Sequence, residues 1–345
     1  MKPLIAVAVS GGVDSLMAAA LLKTQGYPVF GIHFLTGYEP DNRNIAAVTD
    51  QVGIPLHVVD LTDAFRTRVI GYFLRTYMGG KTPNPCLVCN PVVKFGVLFE
   101  HARRLGAGRL ATGHYARVVS DAHRQPHLFR GVDRQKDQSY FLAFLNRHQL
   151  ERACFPLGEM QKSAVKKLAV EKNLLPVTHK ESQDVCFIRS HRYTEFLADQ
   201  LGVTPSPGEI VDREGRVLGR HTGLHGYTIG QRRGINCPAA EPYYVLRIDT
   251  QSNRLVVGPK RDALSSECRV EKINWIRPEP SEPIRVHTRI RYRHTAVPSI
   301  LTPQPQQQAV VDFDAPQSSI TPGQGAVFYV GEEVIGGGWI CGNTY

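Results

Sequence analysis

The chain has 345 residues, 42% hydrophobic and 21% charged, which excludes a disordered protein and implies two or three folded domains rather than one core. Its 41 Lys and Arg against 31 Asp and Glu leave a net charge of +10, a balance that favours a polyanionic partner such as a nucleic acid. Seven cysteines, an odd number, do not suit a disulfide framework; they point to a reducing, cytoplasmic setting where a special cysteine is catalytic or metal-binding.

The opening "MKPLIAVAVSGG" has a lysine and an apolar run, but the run is too short for a signal peptide and no A-x-A site follows. No apolar run approaches the roughly 18 residues of a membrane helix, so no membrane partner is expected. "LIAVAVS" (4–10), "VFGIHF" (29–34), "PLHVVD" (55–60) and "GRLATGH" (108–114) read as strands buried on both faces, and "LMAAALLKTQG" (16–26) as a helix between the first two. Strand–helix alternation predicts an α/β domain with a parallel sheet and ligands at the carboxyl ends of its strands. Residues 138–175 read as helical, and after about 195 glycine and turn residues suggest a small, mostly β module. From about 265, "RVEKINWI", "IRVHTRIRYRH", "QQAVVDFD" and "GAVFYVGEEVIGGGWI" have the strand spacing of a small barrel or sandwich.

Three stretches carry chemistry. "AVSGGVDS", Ala8 to Ser15, follows a strand and opens a helix, so its two glycines permit a tight turn and its exposed N–H groups favour an anion. It lacks the Gly-Lys-Ser/Thr of a Walker A loop. "TPNPCLVCN" (82–90) holds Cys86 and Cys89. Asn90 and Pro91 suit the N-cap and first position of a helix, which puts Cys89 at a helix start with Lys94 one turn in, and both features favour thiolate. A zinc site would need about two further ligands nearby, no second C-x-x-C exists, and no residue is assigned as a metal ligand. In "HKESQDVCFIRSHRY" (179–193), basic residues on both sides of Cys186 make a low thiol pKa plausible, although spacing alone favours a packed strand "VCFI".

The string Ser10-Gly11-Gly12-Val13-Asp14-Ser15 resembles the PP-loop of the ATP pyrophosphatases. "TPNPC-x-x-CN-x-x-x-KF", "ATGHYAR", "KDQSYFL", "ESQDVCFI", "YTIGQRRG", "TRIRYRH" and "TPGQGAVFY" extend the resemblance, in order, to the tRNA-specific 2-thiouridylases over nearly the whole chain. That resemblance implies a PP-loop ATP-binding domain over 1–194, a small central β-rich domain over 195–263 and a C-terminal tRNA-binding β-barrel over 264–345. It implies ATP with Mg²⁺ as cofactors, Asp14 helping to hold the metal, and Ala8, Val9, Ser10, Gly11, Gly12, Val13, Asp14, Ser15, Phe34 and Gly113 at the nucleotide. Cys89 matches the nucleophile and Cys186 the cysteine that carries a persulfide. Asn84, Pro85, Cys86, His114, Lys136, Asp137, Gln138, Arg291, Tyr292 and Gln324 match positions that contact tRNA. The partners implied are the tRNA anticodon stem-loop and a persulfide sulfur donor or relay protein. Many family members carry aspartate where Cys86 stands, so a fixed negative charge is missing there.

Overall fold

Apolar runs flanked by turn residues become short parallel strands, because such runs can be covered by helices on both faces. The computed structural model describes residues 2–39, 45–176, 185–188, 193–202 and 206–342. Its N-terminal part contains β1 (Ile5–Ala8), β2 (Val29–Leu35), β3 (Leu56–Asp60), β4 (Arg109–Ala111), a hairpin of β5 (Ala116–Ser120) and β6 (Pro126–Arg130), and β7 (Ala153–Cys154). The parallel sheet runs β3-β2-β1-β4-β7, with Ile5 beside Val29 on one side and Arg109 on the other. The strand order reverses between β1 and β4, so the loops after these two strands flank the switch point where such sheets bind ligands.

The first strand is shorter than the run 4–10: the Val9 amide still donates to the Ile32 carbonyl of β2 at 2.9 Å, and the chain passes into the loop from Ser10. Helix α1 (Val13–Thr24) begins three residues earlier than its apolar pattern suggested and buries Leu16, Met17, Ala18, Ala19, Ala20 and Leu22. The helix around the two cysteines also starts early. It begins at Pro85, with Asn84 in the N-cap position, and runs Pro85–Cys89, then Asn90–Leu98 in π-helical form, then Phe99–Arg104. Asn90 is therefore no N-cap. Pro85 takes the first position, which a ring without an N–H favours, and the wider π turn accommodates Pro91 inside the helix. The side chain of Asn90 is buried and donates from Nδ2 to the Phe141 carbonyl at 2.9 Å.

The central part forms a four-stranded sheet, β8 (Gly208–Val211), β9 (Val217–His221), β10 (Tyr244–Asp249) and β11 (Arg254–Gly258), ordered β10-β11-β8-β9. The last part holds β12 (Leu264–Trp275), β13 (Ile284–Arg289), β14 (Val297–Gln304), β15 (Gln308–Ser318), β16 (Gly325–Val330) and β17 (Glu333–Gly342). They close into a six-stranded barrel through the β12–β17 pairing.

The barrel does not stop at its own strands. β6 pairs antiparallel with β17, Phe129 beside Glu333 and Leu128 beside Val334, so the N-terminal hairpin extends the C-terminal sheet to eight strands. Apolar burial follows the same seam, since Ile276, Val327, Tyr329 and Val334 belong to the main core of the N-terminal part. Across it, Arg289 pairs with Asp137 at 3.1 Å, and Asp137 also accepts from the Gly131 and Ser139 amides and the Ser139 hydroxyl. The Arg289 guanidinium lies over the Tyr140 and Tyr292 rings at 5.6 and 5.2 Å.

Candidate active site

The loop after β1 is built to meet an anion. Gly11 sits at φ 84°, a left-handed conformation that glycine adopts without strain. Gly12 begins α1 with no side-chain cap. The backbone N–H groups of Gly12 to Ser15 find no acceptor among the described residues, as expected of an open helix start. The Ser15 hydroxyl donates to the Gly12 carbonyl at 3.0 Å and lies 3.2 Å from the Ser10 hydroxyl, which fixes the turn. The loop after β4 closes the other side: a Cβ at Gly113 would stand 2.8–2.9 Å from Asp14 and Ser15. Ala8 ends β1 and Val9 leaves it, while Phe34, near the end of β2, packs half-buried against the main core.

Asp14 does not stand open. Its carboxylate accepts from the Lys162 ammonium at 2.6 and 2.7 Å and from the Tyr115 hydroxyl at 2.7 Å. Lys162 begins the helix Lys162–Glu171 and is buried. No sequence signal ties it to a loop 148 residues away; "QKSAVKK" reads as the solvated start of a helix.

Cys86, Cys89 and Cys186 are free thiols that the fold brings together, although Cys186 lies about a hundred residues further on. Cys186 is near enough to each of the other two for their charges to interact, and Lys94 acts on all three. Lys94 also acts on His114, the residue after Gly113, so the cysteines adjoin the anion loop. Cys186 occupies a turn closed by the Ile188 amide donating to the Val185 carbonyl at 3.1 Å, not a strand. Its neighbour Phe187 anchors it, packing among Tyr38, Phe65, Phe73 and Phe196 at ring separations of 5.2–6.0 Å. The flanking His179, Lys180, Arg189, His191 and Arg192 lie outside the described residues.

The thiols are not the low-pKa groups that the sequence pattern suggests. Burial pushes Cys89 up to about 12 and Cys86 up to about 11, with Lys94 offsetting part of the rise. Cys186 is exposed at its surface edge, yet loss of solvation against the surrounding protein still raises its thiol, again with Lys94 opposing. The physical reason is position: Cys89 is the fifth residue of its helix rather than at the N-terminus, so desolvation outweighs both dipole and lysine. His114 is buried, 2.6 Å from the Thr112 hydroxyl, and burial, then Lys94, pulls its pKa well down, which keeps it neutral.

The remaining candidates divide by exposure. Lys136, Arg291 and Tyr292 are half-buried, with Arg291 donating to the Ser318 carbonyl and Tyr292 stacking on Phe141 at 4.3 Å. Asp137 is 3% exposed and committed to Arg289 and its own loop, and Gln138 accepts from the Tyr115 amide at 3.0 Å. Asn84 and Pro85 are buried at the start of the cysteine helix, and Gln324 donates to the Thr82 and Pro83 carbonyls at 3.2 and 3.1 Å.

Family models match three consecutive parts of the chain: a tRNA methyl transferase HUP domain over residues 3–190, a tRNA methyl transferase PRC-barrel domain over 194–259 and an aminomethyltransferase beta-barrel domain over 265–340. The chain is 49% identical over 341 residues to the tRNA-specific 2-thiouridylase MnmA of Desulfosudis oleivorans, covering 98% of this chain and 95% of that protein. It is 44% identical to the protein of that name from Synechocystis sp., covering 99% and 98%. The Geobacter metallireducens protein of that name is 43% identical, covering 97% and 96%.

Proposed function

The chain belongs to the tRNA-specific 2-thiouridylase family, and from that premise we propose that it replaces O2 of the wobble uridine of tRNA with sulfur at the expense of ATP. The observation that carries the sulfur chemistry is the convergence of Cys89, Cys186 and Lys94 beside a loop with unfilled N–H groups. It also favours sulfur over methyl transfer, the chemistry in the family models' descriptions, because paired thiols beside a lysine suit carrying and releasing a sulfur atom.

The amides of Gly12 to Ser15 hold the phosphates of ATP while uracil O2 attacks the α-phosphorus and pyrophosphate leaves. Adenylation turns that oxygen into part of a leaving AMP. The terminal sulfur of a persulfide on Cys186 replaces it at C2, delivered either directly or as hydrosulfide freed by Cys89. The Cys89 thiolate attacks the Cys186 sulfur, leaving a Cys89–Cys186 disulfide and a thiocarbonyl, and a dithiol reductant resets the pair. The exposed edge of Cys186 suits sulfur delivery by a donor or relay protein. Mg²⁺ supplies charge compensation on the phosphates when bound. Both carboxylate oxygens of Asp14 are engaged by Lys162, so the loop as folded offers the metal no free carboxylate.

In this reading Lys136, Arg291 and Tyr292 meet the anticodon stem-loop, whose single-stranded bases flip out at low cost. The domains are assigned as 1–194, 195–263 and 264–345. Among the described residues no helix is long and apolar enough to cross a membrane. The tRNA substrate of this reading is what puts the reaction in the cytoplasm.

The test is nucleoside mass spectrometry of unmodified tRNA after incubation with Mg-ATP and a persulfide source, alongside Cys89→Ser and Cys186→Ser. A 2-thiouridine peak in the wild type, lost in both variants, is the expected result. No thiolated base, with AMP formation indifferent to tRNA, overturns it.

A further inference from the structure

The segment Lys81–Asn84, which leads into the cysteine helix, is itself neither strand nor helix. Its Lys81 amide donates to the Thr76 carbonyl of the preceding helix at 3.0 Å, and the polar groups of Thr82 and Pro83 are met from the barrel. The Thr82 amide donates to the Pro322 carbonyl at 2.9 Å, and one side chain, the amide of Gln324, donates to both the Thr82 and Pro83 carbonyls. No other donor among the described residues reaches those two oxygens. Two tyrosines complete the seam. The Tyr72 hydroxyl donates to the Gly323 carbonyl at 3.4 Å and accepts from the Asn84 amide at 3.3 Å. The Tyr140 hydroxyl donates to the Gly325 carbonyl at 3.0 Å and also meets the Asn84 side chain.

The turn that holds this segment is itself fixed. The Gly323 amide donates to the Ile340 carbonyl and the Ile340 amide to the Gln324 carbonyl, both at 2.9 Å, which ties the turn to β17. Gly323 sits at φ 91°, and a Cβ there would stand 2.7 Å from the Thr82 carbonyl oxygen, so the two backbones meet in direct contact.

We infer that Gln324 is a positioning residue for Cys86 and Cys89, holding the cysteine helix in place from the barrel through the Thr82 and Pro83 carbonyls. Pro83 removes one N–H from this segment and Pro85 another at the helix start, so fewer local donors are at hand for its carbonyls. Replacing Gln324 with a side chain of the same length and no donor leaves two carbonyls unpaired and frees the start of the helix. The consequence for the reaction rests on the sulfur-transfer role of Cys89 proposed above; the geometry of the seam does not.

The test compares wild type, Gln324→Met and Tyr140→Phe by two readouts. The first is the alkylation rate of Cys89 by iodoacetamide near pH 8.5, the ordinary thiol pKa, followed by peptide mass spectrometry with Cys186 as the internal standard. Both variants are expected to alkylate Cys89 on the order of tenfold faster, as its desolvation is relieved, with Cys186 unchanged. The second is steady-state thiolation, where kcat falls by about tenfold to a hundredfold while the KM for tRNA holds, as for a displaced catalytic group. Unchanged Cys89 alkylation in both variants overturns the inference, as does a raised KM for tRNA at constant kcat, which would make Gln324 a tRNA contact. If Gln324→Met does not fold, Gln324→Glu, which keeps the length and also lacks the donating amide, decides by the same two readouts. A wild type that makes no 2-thiouridine defeats the proposed function and leaves the alkylation comparison to judge the seam.

Discussion

Lys94 acts on four titrating groups at once: Cys86, Cys89, Cys186 and His114. Its charge lowers each of the thiols, but burial raises them by more. A thiol held at about 12 is protonated at neutral pH, and its thiolate fraction grows about tenfold per pH unit until the pKa is reached. Cys89 alkylation should therefore climb steadily from pH 7 through 10 without levelling, and Lys94→Met should slow it at every pH by removing the charge that favours the thiolate. A plateau below pH 9 would contradict the burial argument. The anion loop was legible in "SGGVDS" itself, while the pairing of Cys89 with Cys186 came only from the family resemblance, since spacing alone read Cys186 as part of a packed strand. The ionisation of the thiols was not legible, because desolvation depends on what packs over a residue from distant segments. The same limit hid Lys162, whose contact with Asp14 exists only in the folded chain.

At the scale of elements, β1 to β4 and α1 could be read to within two or three residues, because each is an apolar run closed by glycine or polar residues, whereas the two-residue strand β7 was lost inside a stretch read as helical. The cysteine helix was misplaced by a turn, because two Asn-Pro pairs, 84–85 and 90–91, compete for the same start. The first wins, and the second is absorbed by the π-helical stretch Asn90–Leu98. The β5–β6 hairpin and β14 went unread, since neither "ARVVS" nor "VPSILTPQ" stands out without the neighbours that bury it. Two substitutions probe how elements place the site. Gly113→Ala puts a Cβ against Asp14 and Ser15 and should weaken ATP binding by roughly tenfold in calorimetry, about 1.4 kcal/mol, and also lower the thermal midpoint, because the clash is with backbone. Phe187→Ala empties the aromatic cluster beneath Cys186 at a cost of about 3 kcal/mol, and it should abolish sulfur loading of Cys186 in proteins that remain folded at low temperature. Urea denaturation and persulfide labelling read these separately.

For the whole molecule, the N-terminal sheet and the C-terminal barrel share a core, a sheet edge and the buried Asp137–Arg289 pair. Breaking one partner leaves the other charged and buried, so Asp137→Ala should cost about 3–5 kcal/mol, and the loss should appear in one transition covering both parts. Two separate transitions in urea, followed by probes in each part, would show that the seam is not cooperative. The central four-stranded sheet has its own core. The β5–β6 hairpin also has a consequence for how the protein is made on the ribosome. Its outer pairing partner, β17, is translated some two hundred residues later, so β6 waits with an unpaired edge while the central part is synthesised. A nascent chain stalled before residue 333 carries the ATP loop and both cysteine strings but no partner for that edge. Such a fragment is a natural client for chaperones that cover exposed strands, and completion of synthesis acts as a checkpoint on assembly of the site.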